Sequence, residues 1–133
     1  MSDTTANLNN TPIEVDTTMD SVVIIKVDHD IPGGKTLDVT GVTDEVLKAG
    51  RVIVEETATK KLKPLKIVDG DYESLPGGHS YKGVLIATIL LKKPFASVML
   101  AGNVNEQAAI NYDLPAFPSG AKTALTHILF TQD

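Results

Sequence analysis

Three stretches set glycine next to lysine or histidine and a hydroxyl: IPGGKTL (31–37), LPGGHSY (75–81) and FPSGAKT (117–123). The first contains Gly-Gly-Lys-Thr, the end of a phosphate-binding loop. That chemistry needs Gly-x-x-x-x-Gly-Lys-Ser/Thr followed by a helix, so that backbone amides and the helix dipole meet the anion. Five residues before Gly34 stands His29 rather than glycine, and Lys35 is followed by TLDVTG, with Leu37 and Val39 at strand spacing. Lys35 therefore has no phosphate cradle. Pro32-Gly33 and Pro76-Gly77 instead suit the two central positions of type II turns. LKAGRVI (47–53) has the same rhythm with alanine for proline, which makes a weak β-turn-β theme.

Other candidate chemistry is equally thin. His29, His79 and His127 have no i, i+4 or His-x-His spacing and no cysteine neighbours, as a zinc site would want. DHD (28–30) and DGD (69–71) resemble fragments of calcium loops, but DGDYESLPGG lacks the alternating ligands and closing glutamate. Ser80 and Ser97 lie in no nucleophile elbow, and no carboxylate pair stands out. The reading is of a protein that binds rather than catalyses, without cofactor or metal.

Composition narrows the binding partner. A net charge of −5 opposes a nucleic-acid binder, which needs concentrated positive charge to displace counterions. The basic run Lys60, Lys61, Lys63, Lys66 is local, and reads as a solvated edge or as a contact for an acidic surface. Absence of cysteine removes thiol chemistry and suits a reducing compartment. The longest apolar run, Val84 to Leu91, falls short of the ~20 residues that cross a membrane, so a soluble protein without a membrane partner is expected. Aliphatic residues must build the core, since only 5% of the chain is aromatic and there is no Trp.

The chain divides at its nineteenth residue. Residues 1–18 are rich in Thr, Asn and Asp and poor in large apolar groups, which predicts an extended or disordered arm, ordered only by outside contacts. Residues 19–133 read as one β-rich domain. VVIIKVDHDI predicts a strand ending near Val27; VTDEVLKAG a helix of one or two turns; RVIVEE and LKIV strands, with a polar excursion TATKKLKP between them. The segment 69–83 reads as loop with several turns. GVLIATILL (83–91) and FASVMLA (95–101) predict two central strands paired antiparallel. NVNEQAAINYD favours a short helix capped by Asn103 or Asn105, and AKTALTHILFT a helical turn followed by a last strand. The fold class expected is mainly β (β-rich α+β), a β-sandwich or partly open barrel-like domain with two or three short helices.

Residues 93–130, KPFASVMLAGNVNEQAAINYDLPAFPSGAKTALTHILF, resemble the C-terminal half of tailed-phage head-decoration and head-fibre proteins. The residues that carry the likeness are Leu100, Gly102, Val104 and Asn105 in an apolar-x-Gly-x-Val-Asn signature, then Ala121, Lys122, Leu125, Ile128 and Phe130. Upstream, IPGGKTLDV, LKAGRVIVEE and GVLIATILLKKPFASVML extend it over most of 19–131. The resemblance implies an auxiliary virion protein on the outer surface of an icosahedral capsid, usually a trimer, whose partner is the major capsid protein and which cements the shell or anchors a fibre. Thr11, Pro12, Ile13, Val15 and Met19 in the arm are then the candidate capsid or subunit contacts. The competing expectation is a carbohydrate- or cell-surface-binding β module, with Tyr72 or Tyr81 as the stacking residue.

Overall fold

The computed structural model describes residues 20–43, 45–111 and 114–131. In chain order these form helix α1 (Asp20–Val23), strands β1 (Ile24–Asp30), β2 (Lys35–Thr36), β3 (Val46–Leu47), β4 (Val52–Glu56), β5 (Leu62–Pro64), β6 (Ile67–Val68), β7 (Asp71–Tyr72), β8 (His79–Leu85), β9 (Ile89–Leu90), β10 (Phe95–Ala96) and β11 (Val98–Asn105), helices α2 (Glu106–Asn111) and α3 (Ser119–Ala124), and strand β12 (Ile128–Thr131). The protein is mainly β, with three short helices, as its composition of β-branched runs and turns requires.

One sheet organises the rest. Its order is β1-β11-β8-β4-β5, with β12 also paired to β11. The β11–β12 pairing is parallel, because the chain leaves β11 through α2 and α3 and returns in the same direction; the other ladders are antiparallel. The sheet stays open, with β1 and β5 at its edges, so it is not a barrel.

Strand periodicity sends side chains to two cores, one on each face. Val52 and Val54 of β4, Val84 of β8, and Met99 and Val104 of β11 join Val23, Ala108, Ala109, Phe117 and Ala121, so the helices cover this face. Ile53, Leu62, Leu85 and Val98 point the other way, onto Leu37, Leu47 and Ala96. That second face is covered by segments bearing the two-stranded ladders β2·β10 and β3·β9. A full second sheet, as in a sandwich, is replaced by these small ladders.

Several sequence expectations hold. The central strands pair as Val98 with Leu85 and Met99 with Val84. Asn105 caps α2, its Oδ1 accepting from the Ala108 amide at 3.2 Å. The turn at Ile31–Gly34 closes through Gly34 N to Ile31 O at 3.1 Å, with Gly33 at φ +77°, and Lys48–Arg51 repeats it at 3.1 Å with Gly50 at φ +98°.

Others are corrected. Residues 20–23 form a helical turn and the strand runs on to Asp30. The helix expected near 43–50 is instead extended: Val46 and Leu47 pair with Leu90 and Ile89, which buries Leu47 completely, and Leu91 N donates to Glu45 O. The polar excursion contains β5, because Leu62 and Pro64 alternate inward between exposed or half-exposed lysines. In LPGGHSY the proline is the first residue of the turn, not the second, since His79 N bonds to Pro76 O and Gly78 takes the positive φ of +73°. Asp69 and Gly70, both at positive φ, turn β6 into β7 within the stretch read as loop.

Candidate functional site

Thr11, Pro12, Ile13, Val15 and Met19 lie outside the described residues. Their attachment point does not. Asp20 accepts two hydrogen bonds from Thr88, from the hydroxyl at 2.6 Å and the amide at 2.9 Å, and the same hydroxyl accepts from the Ala49 amide at 3.1 Å. Three remote segments thus meet at the first described residue. Just beyond, fully buried Val23 packs on Gly50, where a Cβ would stand 2.8 Å from its Cγ1.

From this root an apolar strip reaches the surface. Val22 is 44%, Ile25 46% and Val27 38% exposed, along α1 and the edge strand β1. Register shifts on both sides of Val27, and the charges of Lys26, Asp28 and Asp30, blunt the strand as a template for open-ended pairing. The strip can therefore bury side chains against a partner without recruiting further strands.

A cavity of about 300 Å³ opens elsewhere, lined among others by Asp38, Thr40, Lys63, Glu73 and His79. His79, Lys63 and Asp38 are already engaged by neighbouring groups. His79 Nδ1 lies 2.8 Å from Gly77 O, so Nδ1 carries the proton and Nε2 accepts from the Lys63 ammonium at 3.3 Å. Lys63 also pairs with Glu56 at 3.2 Å, and its hydrogen bond, joined by one from Thr59, holds the Glu56 carboxyl below the usual range. Bonds from the Thr40 hydroxyl and amide do the same for Asp38. Both ring nitrogens of His79 are occupied, so it does not stand as a base beside Thr40.

Lys35 lies in β2, not ahead of a helix, and its ammonium reaches Lys60 O at 3.4 Å. Among the described residues no three His, Asp or Glu side chains gather as metal ligands. Nor do Tyr72 and Tyr81 suit sugar stacking, since both pack against the helical core. The Tyr72 hydroxyl accepts from Val52 N at 3.3 Å, and burial pushes its pKa up to about 12 against an opposing pull from the Arg51 charge. Sequence reasoning placed the contacts in the arm and missed its anchor. The two partners, Asp20 and Thr88, are 68 residues apart and carry no local signal.

Comparison with known proteins adds no relative: no protein-family model, curated protein or solved structure matches the chain.

Proposed function

We propose that this chain is a structural virion protein, an auxiliary or decoration protein that binds the outer surface of an icosahedral phage capsid as a trimer and stabilises the shell or anchors a fibre. The observation that carries the reading is the pinned root of the N-terminal segment beside an exposed apolar strip. The bonds from Thr88 fix Asp20, the residue that follows 1–19 in sequence, close in the chain to the exposed Val22, Ile25 and Val27. A polar arm of the kind expected for residues 1–18, joined to a hydrogen-bonded Asp20, can order on a lattice, where repeated weak contacts gain from high effective concentration. The likeness of most of residues 19–131 to phage head-decoration proteins supports the same role.

Mixing the purified protein with undecorated capsids tests this directly. Stoichiometric addition with increased resistance to heat or osmotic shock is expected, and absence of binding overturns the proposal. Deleting residues 1–18 separates the arm from the body: the truncated chain should lose capsid affinity while its melting curve is unchanged. Equal binding would remove the arm from the mechanism.

A further inference from the structure

In this acid-rich chain, three segments without acid gather exposed lysines. Segments 31–37, 57–63 and 91–97 hold no Asp or Glu, although the protein has 17, and they carry Lys35, Lys60, Lys61, Lys92 and Lys93, all exposed. These segments are far apart in sequence and are joined in the fold. Thr36 pairs with Phe95 and Lys35 with Ala96; Leu37 N donates to Pro94 O at 2.8 Å; the Lys35 ammonium reaches Lys60 O. Acids stand only at the margins: Asp30 and Asp38 flank the first segment, Glu56 precedes the second, and Glu45 O accepts from Leu91 N at the start of the third; Asp38, near Lys61 and Lys63, is already bonded by Thr40. Lys63 is spent on Glu56.

Phe95 stands among these lysines. It is 58% exposed, the one exposed aromatic ring among the described residues. Its ring lies over Gly34, where a Cβ would come within 2.8 Å of Cε2, so the Ile31–Gly34 turn is the floor that holds the ring up. A large apolar side chain rimmed by charge has the anatomy of an interface anchor: the ring supplies burial and the rim supplies orientation and encounter rate.

We infer that Phe95 and the lysines around it form a second docking surface, for an acidic protein surface with an apolar socket. Charge complementarity selects the occupant. A net charge of −5 disfavours a polyanionic nucleic acid at long range, while a local excess of exposed lysines favours carboxylates at short range. For the identity of the partner, the inference rests on the capsid-binding reading: the acidic surface is on the outer face of the shell, apart from the contacts of the arm.

Cosedimentation with undecorated capsids over a salt series tests it. Phe95→Ala, and Lys60→Glu with Lys61→Glu, should each weaken binding by on the order of tenfold, and the charge variant should flatten the salt dependence. Lys66→Glu, the reversal of one exposed lysine outside the three segments, should bind as the unaltered protein does, whereas Lys60→Glu alone, the same change of charge within them, should bind more weakly. All these side chains are exposed, so melting temperatures should agree within about 4 °C, and circular dichroism confirms folding. If the unaltered protein binds capsids and the Phe95 and Lys60/Lys61 variants bind equally well, this inference falls and the decoration role stands. If the unaltered protein does not bind, the decoration role falls and takes this partner with it. Sedimentation velocity of free protein covers another occupant: an oligomer lost in the same variants would assign the patch to a second copy and overturn the inference. Retention on heparin that follows the same variants would make it a general polyanion site, with the same consequence.

Discussion

Asp20 holds Thr88 by both of that residue's donors, the hydroxyl at 2.6 Å and the amide at 2.9 Å, and so ties the start of the described chain to the loop between β8 and β9. The hydroxyl that Asp20 receives also accepts from Ala49, next to the glycine against which Val23 packs. A single carboxylate therefore sets the position of α1 relative to two loops. Cutting the tie leaves part-buried donors to find water, at about 1–2 kcal/mol. Asp20→Ala and Thr88→Val should each lower the urea midpoint by that measure. The double variant should cost less than the sum of the two, because both remove the bond from the Thr88 hydroxyl to Asp20, while only Asp20→Ala removes the acceptor of the Thr88 amide and only Thr88→Val that of the Ala49 amide. Additive losses would show that the two residues act separately.

Glu106 performs the corresponding task for the helices. Its carboxylate, 3% exposed, accepts from the Phe117 amide at 2.9 Å and from the Lys122 ammonium at 2.7 Å, joining the start of α2 to the loop before α3 and to α3 itself. Glu106→Ala orphans the buried amide and leaves the ammonium unpaired. Because the Lys122 side chain is 38% exposed and can rehydrate, the expected loss is about 3 kcal/mol rather than the top of the range for buried pairs. Glu106→Gln keeps an acceptor for Phe117 and should lose less. Chemical denaturation of the two variants measures the difference.

At high pH, Tyr72 governs stability. Its folded pKa of about 12 exceeds its ordinary value of 10.0, so between those values the folded state holds a proton that the unfolded chain has released. The contribution is complete below pH 10 and disappears as pH rises through about 12. Tyr72→Phe should flatten the alkaline limb of a stability profile, at the expense of the acceptor for Val52 N throughout. At the acid end, Asp38 and Glu56 have depressed values, so their contribution is present above the ordinary carboxylate range and declines as pH falls through their folded values. Both carboxylates are solvent-exposed, and the acid limb should accordingly be shallow and weaken with salt.

Gly50 combines a backbone demand with a spatial one. Its φ is +98°, and a Cβ would meet Val23 at 2.8 Å and Leu114 at 3.3 Å. Gly50→Ala should cost about 2–4 kcal/mol from strain and overpacking together. Gly33→Ala shares the positive φ but meets nothing within 4 Å, and should cost about 1–2 kcal/mol. Thermal melts of the pair separate conformational strain from crowding.

What could be read from the sequence followed local chemistry. The alternation of RVIVEE, the Asn105 cap and the helical turn before Ile128 were legible because each is decided by neighbours within a few residues. Leu62 was missed because lysines on both sides hide a strand whose inward residues are only two. VTDEVLKAG has helix-start residues, yet Val46 and Leu47 gain more from pairing with β9 and closing the second core than from one isolated turn. The functional surfaces were the least legible. The lysines of three segments look unrelated until β2 meets β10, and nothing beside Gly34 in sequence announces that it supports Phe95.

The two cores share one wall, and this has a dynamic consequence. Val52 and Ile53, Val84 and Leu85, and Val98 and Met99 are adjacent pairs whose members face opposite cores. Peeling either layer away exposes the backs of the strands that the other layer needs, so neither can come apart on its own. Hydrogen exchange at these six amides should therefore proceed only through unfolding of the whole body, with one common free energy, while amides in the short outlying ladders exchange by local opening.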